Sequence, residues 1–197
     1  MGEPGERYLE RHEEQVLLAL AHDTLGQLVR HGTTLSWESS ALTDTLREKH
    51  GAFVTLRNAG NLRGCVGYTA NRTPLAQSVR DCTISAASRD SRFPPVVEGE
   101  LYEIQVEISA LTPGDTPDTP FKRVYDLMDL SIGRDGLYIV LPPQRGGLLL
   151  PQVGVEQGFS VDQFLAATCR KGGYAEDAYR DTNAEVYRFS AQVFGDT

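Results

Sequence analysis

Apolar residues recur at spacings of three and four from Leu9 through Val16, Leu17, Leu20, Leu25 and Leu28, with Thr24 in step. This predicts an amphipathic helix over 6–31, stopped by Gly32. A shorter helix over 39–49 follows, with Leu42 and Leu46 on one side and Gly51 beyond it. The period then changes. AFVTLRN (52–58) and LRGCVGYT (62–69) read as strands joined by a turn at 59–61, a hairpin. Thr73 reads as an N-cap with Pro74 in the first helical position, and Leu75, Val79, Cys82 and Ala86 line one face of a helix running to about Ser88. The paired prolines of DSRFPPVV make 90–97 an irregular loop. ELYEIQVEISAL (100–111) alternates most cleanly. Ile104, Val106, Ile108 and Ala110 fall on one face, and Glu103, Gln105, Glu107 and Ser109 on the other.

TPGDTPDTP (112–120) carries three prolines and two acids, and reads as a surface connection. It marks a lobe boundary or a flap within what is otherwise one domain over 1–197. Beyond it, 124–130 reads as a helical turn or a short strand. GRDG (133–136) is a turn, LYIVL (137–141) a strand and PPQRG (142–146) a turn. Residues 147–153 read as a strand whose Pro151 places it at an edge or a bulge. Ser160 caps a helix over 161–171, with Phe164, Leu165 and Thr168 inward and Gly172-Gly173 as the stop. Residues 185–194 form a final strand. Strands and helices interleave, but tight turns join most strands, which predicts an α+β fold with a mainly antiparallel sheet.

Composition changes little in this picture. Hydrophobic content of 40% and charged content of 23% suit a soluble globular chain. The net charge of −8 divides into −3 over 1–60, −1 over 61–110 and −4 over 111–197. No segment is basic, which argues against a nucleic-acid partner. Residues 61–110 do hold five arginines and no lysine, enough to handle one phosphate, though an arginine-rich solvated surface explains them better. Cys65, Cys82 and Cys169 are odd in number and widely spaced, so they form no disulfide framework and suit a reducing cytoplasm. The acidic, polar first fifteen residues do not resemble a signal peptide, Glu6 breaks a myristoylation pattern, and no apolar run is long enough to span a membrane.

The candidate chemistry centres on NLRGCVGY (61–68). Strand alternation puts Arg63, Cys65 and Gly67 on one face and Leu62, Gly64 and Val66 on the other. A neighbouring guanidinium favours a thiolate, and Gly67 leaves a pit where a ligand or a second backbone can approach. Gly64 points to a bulge or close packing on the opposite face. The alternative is a small buried cysteine between structural glycines. A nucleophilic cysteine usually has a histidine partner. Of His12, His22, His31 and His50, only His50 merits consideration. No metal-ligand spacing, P-loop, dinucleotide fingerprint or nucleophile elbow is present, and no cofactor is named by the residues. Arg92 can grip a carboxylate or phosphate with Asp90 orienting it, or the two form a surface pair of little worth. Glu107 faces solvent unless the sheet curls around a cavity. Gln152 presents an amide to a ligand or sits at a solvated edge.

Six collinear blocks extend this reading: LRGCVGY, DSRFPPV, ELYEIQVEISAL, SIGRDGLYIV, GLLLPQVGVEQGF and FLAATCRKGGY. Together they resemble the AMMECR1-domain family, called AmmeMemoRadiSam system protein A in prokaryotes. The resemblance implies an α+β fold with a curved, barrel-like sheet flanked by helices and a cleft near the signature. It also implies a shared modification pathway with a Memo-like protein and a radical-SAM protein. The signature falls on Leu62, Arg63, Gly64, Cys65, Val66 and Gly67, with Val66 where isoleucine is usual. The family's EQGW appears as Glu156-Gln157-Gly158-Phe159, without the indole N–H. The family brings no agreed catalytic set. One expectation is a cytoplasmic protein with a small-molecule or peptide site formed by Arg63, Gly64, Cys65, Gly67, Asp90, Arg92, Glu107 and Gln152, Cys65 being the catalytic candidate. The alternatives are a non-catalytic interaction module and, less favoured by the charge, a nucleic-acid-associated factor.

Overall fold

The computed structural model describes residues 8–38, 42–116, 118–142 and 146–196. The chain divides into two units: unit 1 spans 1–111 and 192–197, and unit 2 spans 112–191.

Unit 1 begins with α1 (Arg11–His31), set by a capping box between Glu10 and Glu13 and ended by Gly32 at φ 66°. Of the helix expected over 6–31, residues 6–7 lie outside the described ones, and Tyr8, Leu9 and Glu10 precede the helix. Of the helix expected over 39–49, residues 39–41 lie outside the described ones, and the remainder forms a single turn, α2 (Asp44–Arg47), capped by Thr43. The hairpin forms as expected from β1 (Ala52–Asn58) and β2 (Asn61–Tyr68). Ala59 and Gly60 both take left-handed φ, 48° and 79°, the backbone that a two-residue hairpin turn requires. An L-residue other than Asn or Gly is strained there, so Ala59→Asn is expected to stabilise the protein by about 0.5–1 kcal/mol, read as a raised thermal midpoint.

The next helix, α3 (Leu75–Ser88), starts one residue later than expected, with Pro74 as N-cap and the Thr73 hydroxyl bonded to Ser78. A 3-10 turn at Glu98–Glu100 precedes β3 (Ile104–Leu111), shortening the strand expected from 100. The final strand of the sequence reading is two strands. Residues 185–189 join unit 2, and β8 (Ala191–Gly195) joins unit 1, giving the sheet order β2-β1-β3-β8. One face of this sheet is apolar and covered. Val54, Leu56, Val106 and Ile108 are buried there, α3 packs on β1 and β2, and α1 packs on α3. Gln192 ties β8 to the start of α1, accepting from Leu9 N–H at 2.8 Å and donating to its carbonyl at 3.0 Å. Asp196 accepts from Val106 N–H at 2.7 Å and meets His22 Nε2 at 2.9 Å.

Unit 2 holds a second four-stranded sheet, in the order β4 (Lys122–Arg123), β7 (Glu185–Phe189), β5 (Gly136–Val140) and β6 (Gly147–Leu149). Instead of a strand over 147–153, α4 (Pro151–Glu156) follows β6. Pro151 occupies its first helical position, where a missing N–H costs nothing, so it starts a helix and marks no sheet edge. The helix α5 (Val161–Lys171), capped by Ser160, buries Phe164, Leu165 and Thr168 as expected. Phe164, Leu165 and Cys169 pack on Leu137, Ile139 and Val186, with Phe159 partly buried against them. The fold is thus α+β, with two four-stranded antiparallel sheets and no closed barrel among the described residues. Among the described residues no helix is long and apolar enough to cross a membrane, and no three acidic, cysteine or histidine side chains group as metal ligands.

Candidate functional site

The signature strand is an edge strand with one extra residue. Leu56 pairs with Gly64 and Arg57 with Leu62, so Arg63 has no partner on β1 and forms a bulge. This corrects the simple alternation. Arg63 does not share a face with Cys65. Its guanidinium runs to the following loop, where it grips Glu100 with two bonds (Nε–Oε1 2.6 Å, Nη2–Oε2 2.9 Å) and donates to the carbonyls of Pro94 and Pro95. Both charges are mostly shielded, and the Arg63 guanidinium holds the Glu100 carboxyl below its ordinary pKa. Arg63 is thus spent on anchoring the loop and presents no open anion contact.

Asp90 and Arg92 act on the backbone of Cys65. Asp90 is buried, and its Oδ2 accepts from Cys65 N–H at 2.9 Å. Arg92 closes on Asp90 through Nε (2.9 Å) and Nη2 (2.6 Å), and Nη2 also donates to the Cys65 carbonyl at 3.2 Å. Both outward backbone groups of the edge strand at Cys65 are therefore satisfied by one side-chain pair. That pair takes the place of a further strand and blocks edge pairing. The Arg92 guanidinium, offset in part by burial, pulls the Asp90 carboxyl well below the usual carboxylate range.

With its backbone turned outward, Cys65 forms a close cross-strand pair with Thr55, whose hydroxyl donates to Sγ at 3.4 Å. Glu107 pairs with Thr55 from the other side, so thiol, hydroxyl and carboxylate form one row across the sheet face opposite α3. Glu107 also borders a cavity of about 160 Å³ with Arg57, Gln105, Val193 and Asp196. Cys65 is half-buried, whereas Cys82 and Cys169 are buried. Burial pushes the Cys82 thiol up to about 12 and raises that of Cys169.

The remaining candidates fall elsewhere. Gly64 is buried against α3, where a Cβ would collide with the carbonyl oxygen of Ala86. It permits the close packing of β2 on α3. The pit expected at Gly67 is filled by the ring of its cross-strand partner Phe53. Gln152 is the second residue of α4, in unit 2, not at a strand edge. His50 is buried, 3.4 Å from Glu48 and edge-on to Tyr8, and among the described residues no histidine bonds to Cys65. Thr55 and Glu100 were not singled out by the sequence. The signal for Glu100 was slight, a carboxylate just after the proline loop. Thr55 depended on the register of the hairpin.

The fold and this row define an α+β protein carrying a half-buried free thiol beside the buried Thr55 hydroxyl on an edge hairpin. The AMMECR1 family model matches residues 18–194, and the chain belongs to that family. A protein of Methanothermobacter thermautotrophicus is 40% identical over 189 residues, covering 94% of this chain and 95% of its own length. Protein MJ0810 of Methanocaldococcus jannaschii is 42% identical over 153 residues, covering 77% and 75%. The crystal structure of the uncharacterized protein PH0010 from Pyrococcus horikoshii matches with a TM-score of 0.88 at 32% identity, over 96% of this chain and 94% of that one.

Proposed function

We propose that this AMMECR1 protein binds a small molecule or peptide segment on the Cys65–Thr55–Glu107 row and serves a cytoplasmic modification pathway with Memo-like and radical-SAM partners. The observation that carries the site reading is the placement of the Cys65 thiol. Its backbone is clamped by Asp90 and Arg92 while its sulfur accepts from the Thr55 hydroxyl, on the face away from the helices. The pathway assignment rests on the family relation alone.

A thiol reagent tests the site. Cys65 is expected to label at least tenfold faster than Cys82 or Cys169 in the folded protein, since burial keeps the latter two as thiols. Equal, slow labelling of all three, read by peptide mass spectrometry, removes the reactive-thiol version.

One observation favours the interaction-module reading. Arg63, Asp90 and Arg92, the charged residues around the signature, are bonded to the protein's own loop and backbone. A Cys65→Ser variant separates the two readings. Full function in vivo supports a module, while loss of function in a variant of unchanged thermal midpoint supports chemistry at the thiol.

A further inference from the structure

Unit 2 carries a cavity that plays no part in the reading above. Its sheet packs α5 on one face. The opposite face is aromatic. Tyr138 of β5 and Tyr187 of β7 are direct cross-strand partners, and Phe121 lies over Tyr138 with ring centroids 4.7 Å apart and planes 16° from parallel. Tyr187 is tilted against both, at 6.0 Å from Tyr138 and 6.1 Å from Phe121. With Thr119, Val140, Pro142 and Glu185 these rings line a cavity of about 420 Å³, within the size range of small-molecule sites.

The carboxylate in this cavity is oriented. Glu185 Oε2 accepts from the Tyr187 hydroxyl at 2.9 Å, and Oε1 lies 3.2 Å from Arg123 Nη1. A carboxylate has about four acceptor positions, so these two contacts leave capacity on both oxygens. The Glu185 side chain is 38% exposed, which leaves that capacity reachable. Arg123 also lies over the Tyr187 ring, 5.2 Å from its centroid. It already supplies the cation that an aromatic and acidic site attracts, so a second cation would meet repulsion. A neutral ligand with paired N–H donors meets none.

We propose that this cavity binds a guanine-type ring: a planar heteroaromatic system stacked along Phe121 and Tyr138, with two adjacent N–H donors on one edge directed at Glu185. The ring can come from a free nucleoside or from a base in single-stranded RNA. The net charge of −4 over 111–197 favours the nucleoside, because a polyanion needs phosphate neutralisation.

The test is calorimetric titration of the full chain with guanosine. Saturable one-to-one binding is expected, with inosine, which lacks one of the two donors, at least threefold weaker. Glu185→Gln keeps size and removes charge, and is expected to weaken binding at least tenfold. Tyr138→Leu is expected to weaken it at least fivefold, its fold checked by the thermal midpoint. If Tyr138→Leu does not fold, Glu185→Gln with inosine decides alone. A guanine-containing RNA hexamer that competes with guanosine identifies RNA as the source of the base. A hexamer that does not compete identifies the free nucleoside. Either outcome supports the base site. Absence of saturable binding by both probes, or guanosine binding unchanged in Glu185→Gln, overturns it.

Discussion

Asp90→Ala is expected to destabilise the protein by about 2–4 kcal/mol at pH 7. Truncation leaves the part-buried Cys65 N–H without its acceptor and the Arg92 guanidinium without its carboxylate. The figure sits below that of a fully buried pair because the Arg92 side chain is 48% exposed and partly hydrated. The pH dependence follows from the direction of the shift. Arg92 depresses the Asp90 carboxyl below its unfolded value near 3.9. Its contribution is therefore fully present above about pH 4, and it is lost as the pH falls through the depressed folded value. Urea denaturation of wild type and Asp90→Asn at pH 7 and pH 3 checks this. The gap between them should narrow at pH 3, and a gap that widens on acidification would contradict the clamp.

Gly64→Ala is expected to cost about 2–3 kcal/mol, and more than Gly67→Ala, although both glycines lie within two residues of Cys65. The Gly64 Cβ would collide with helix backbone, the Ala86 carbonyl, which can yield only by separating β2 from α3. At Gly67 the obstacle is the Phe53 ring, which can rotate. Denaturation midpoints of the two variants give the comparison. If Gly67→Ala were the more damaging, the close approach of β2 and α3 would not be what Gly64 serves.

Much of this arrangement was legible in the sequence, because periodicity and turn chemistry act locally. The hairpin, the helices around 75–88 and 161–171, and the alternation of β3 follow from such signals. What was not legible depended on pairing. Counting back from the Ala59-Gly60 turn puts Thr55 opposite Gly64. The bulge at Arg63 moves Thr55 to Cys65 and turns the thiol away from the helices. Nothing in the strand's own residues announces that slip. The fates of Arg63 and Arg92 were hidden for a similar reason. Besides Glu100 and Asp90, their partners are two backbone carbonyls of a proline loop and one of the signature itself, which composition does not single out. Residues 188–193 alternate polar and apolar straight across Ser190, so the change of sheet there leaves no trace in polarity.

That change of sheet has a mechanical meaning. Unit 2 leaves unit 1 after β3 and returns through β8, and β3 and β8 are neighbours in one sheet. Tension applied between Leu9 and Asp196 therefore loads the Gln192 and Asp196 bonds and the β3–β8 seam before it reaches any bond of unit 2. Unit 2 is a spliced-in loop, shielded from pulling until that seam parts. Thr112 N–H, donating to the Ser190 carbonyl at 3.0 Å, pins the two ends of the loop together as the last latch.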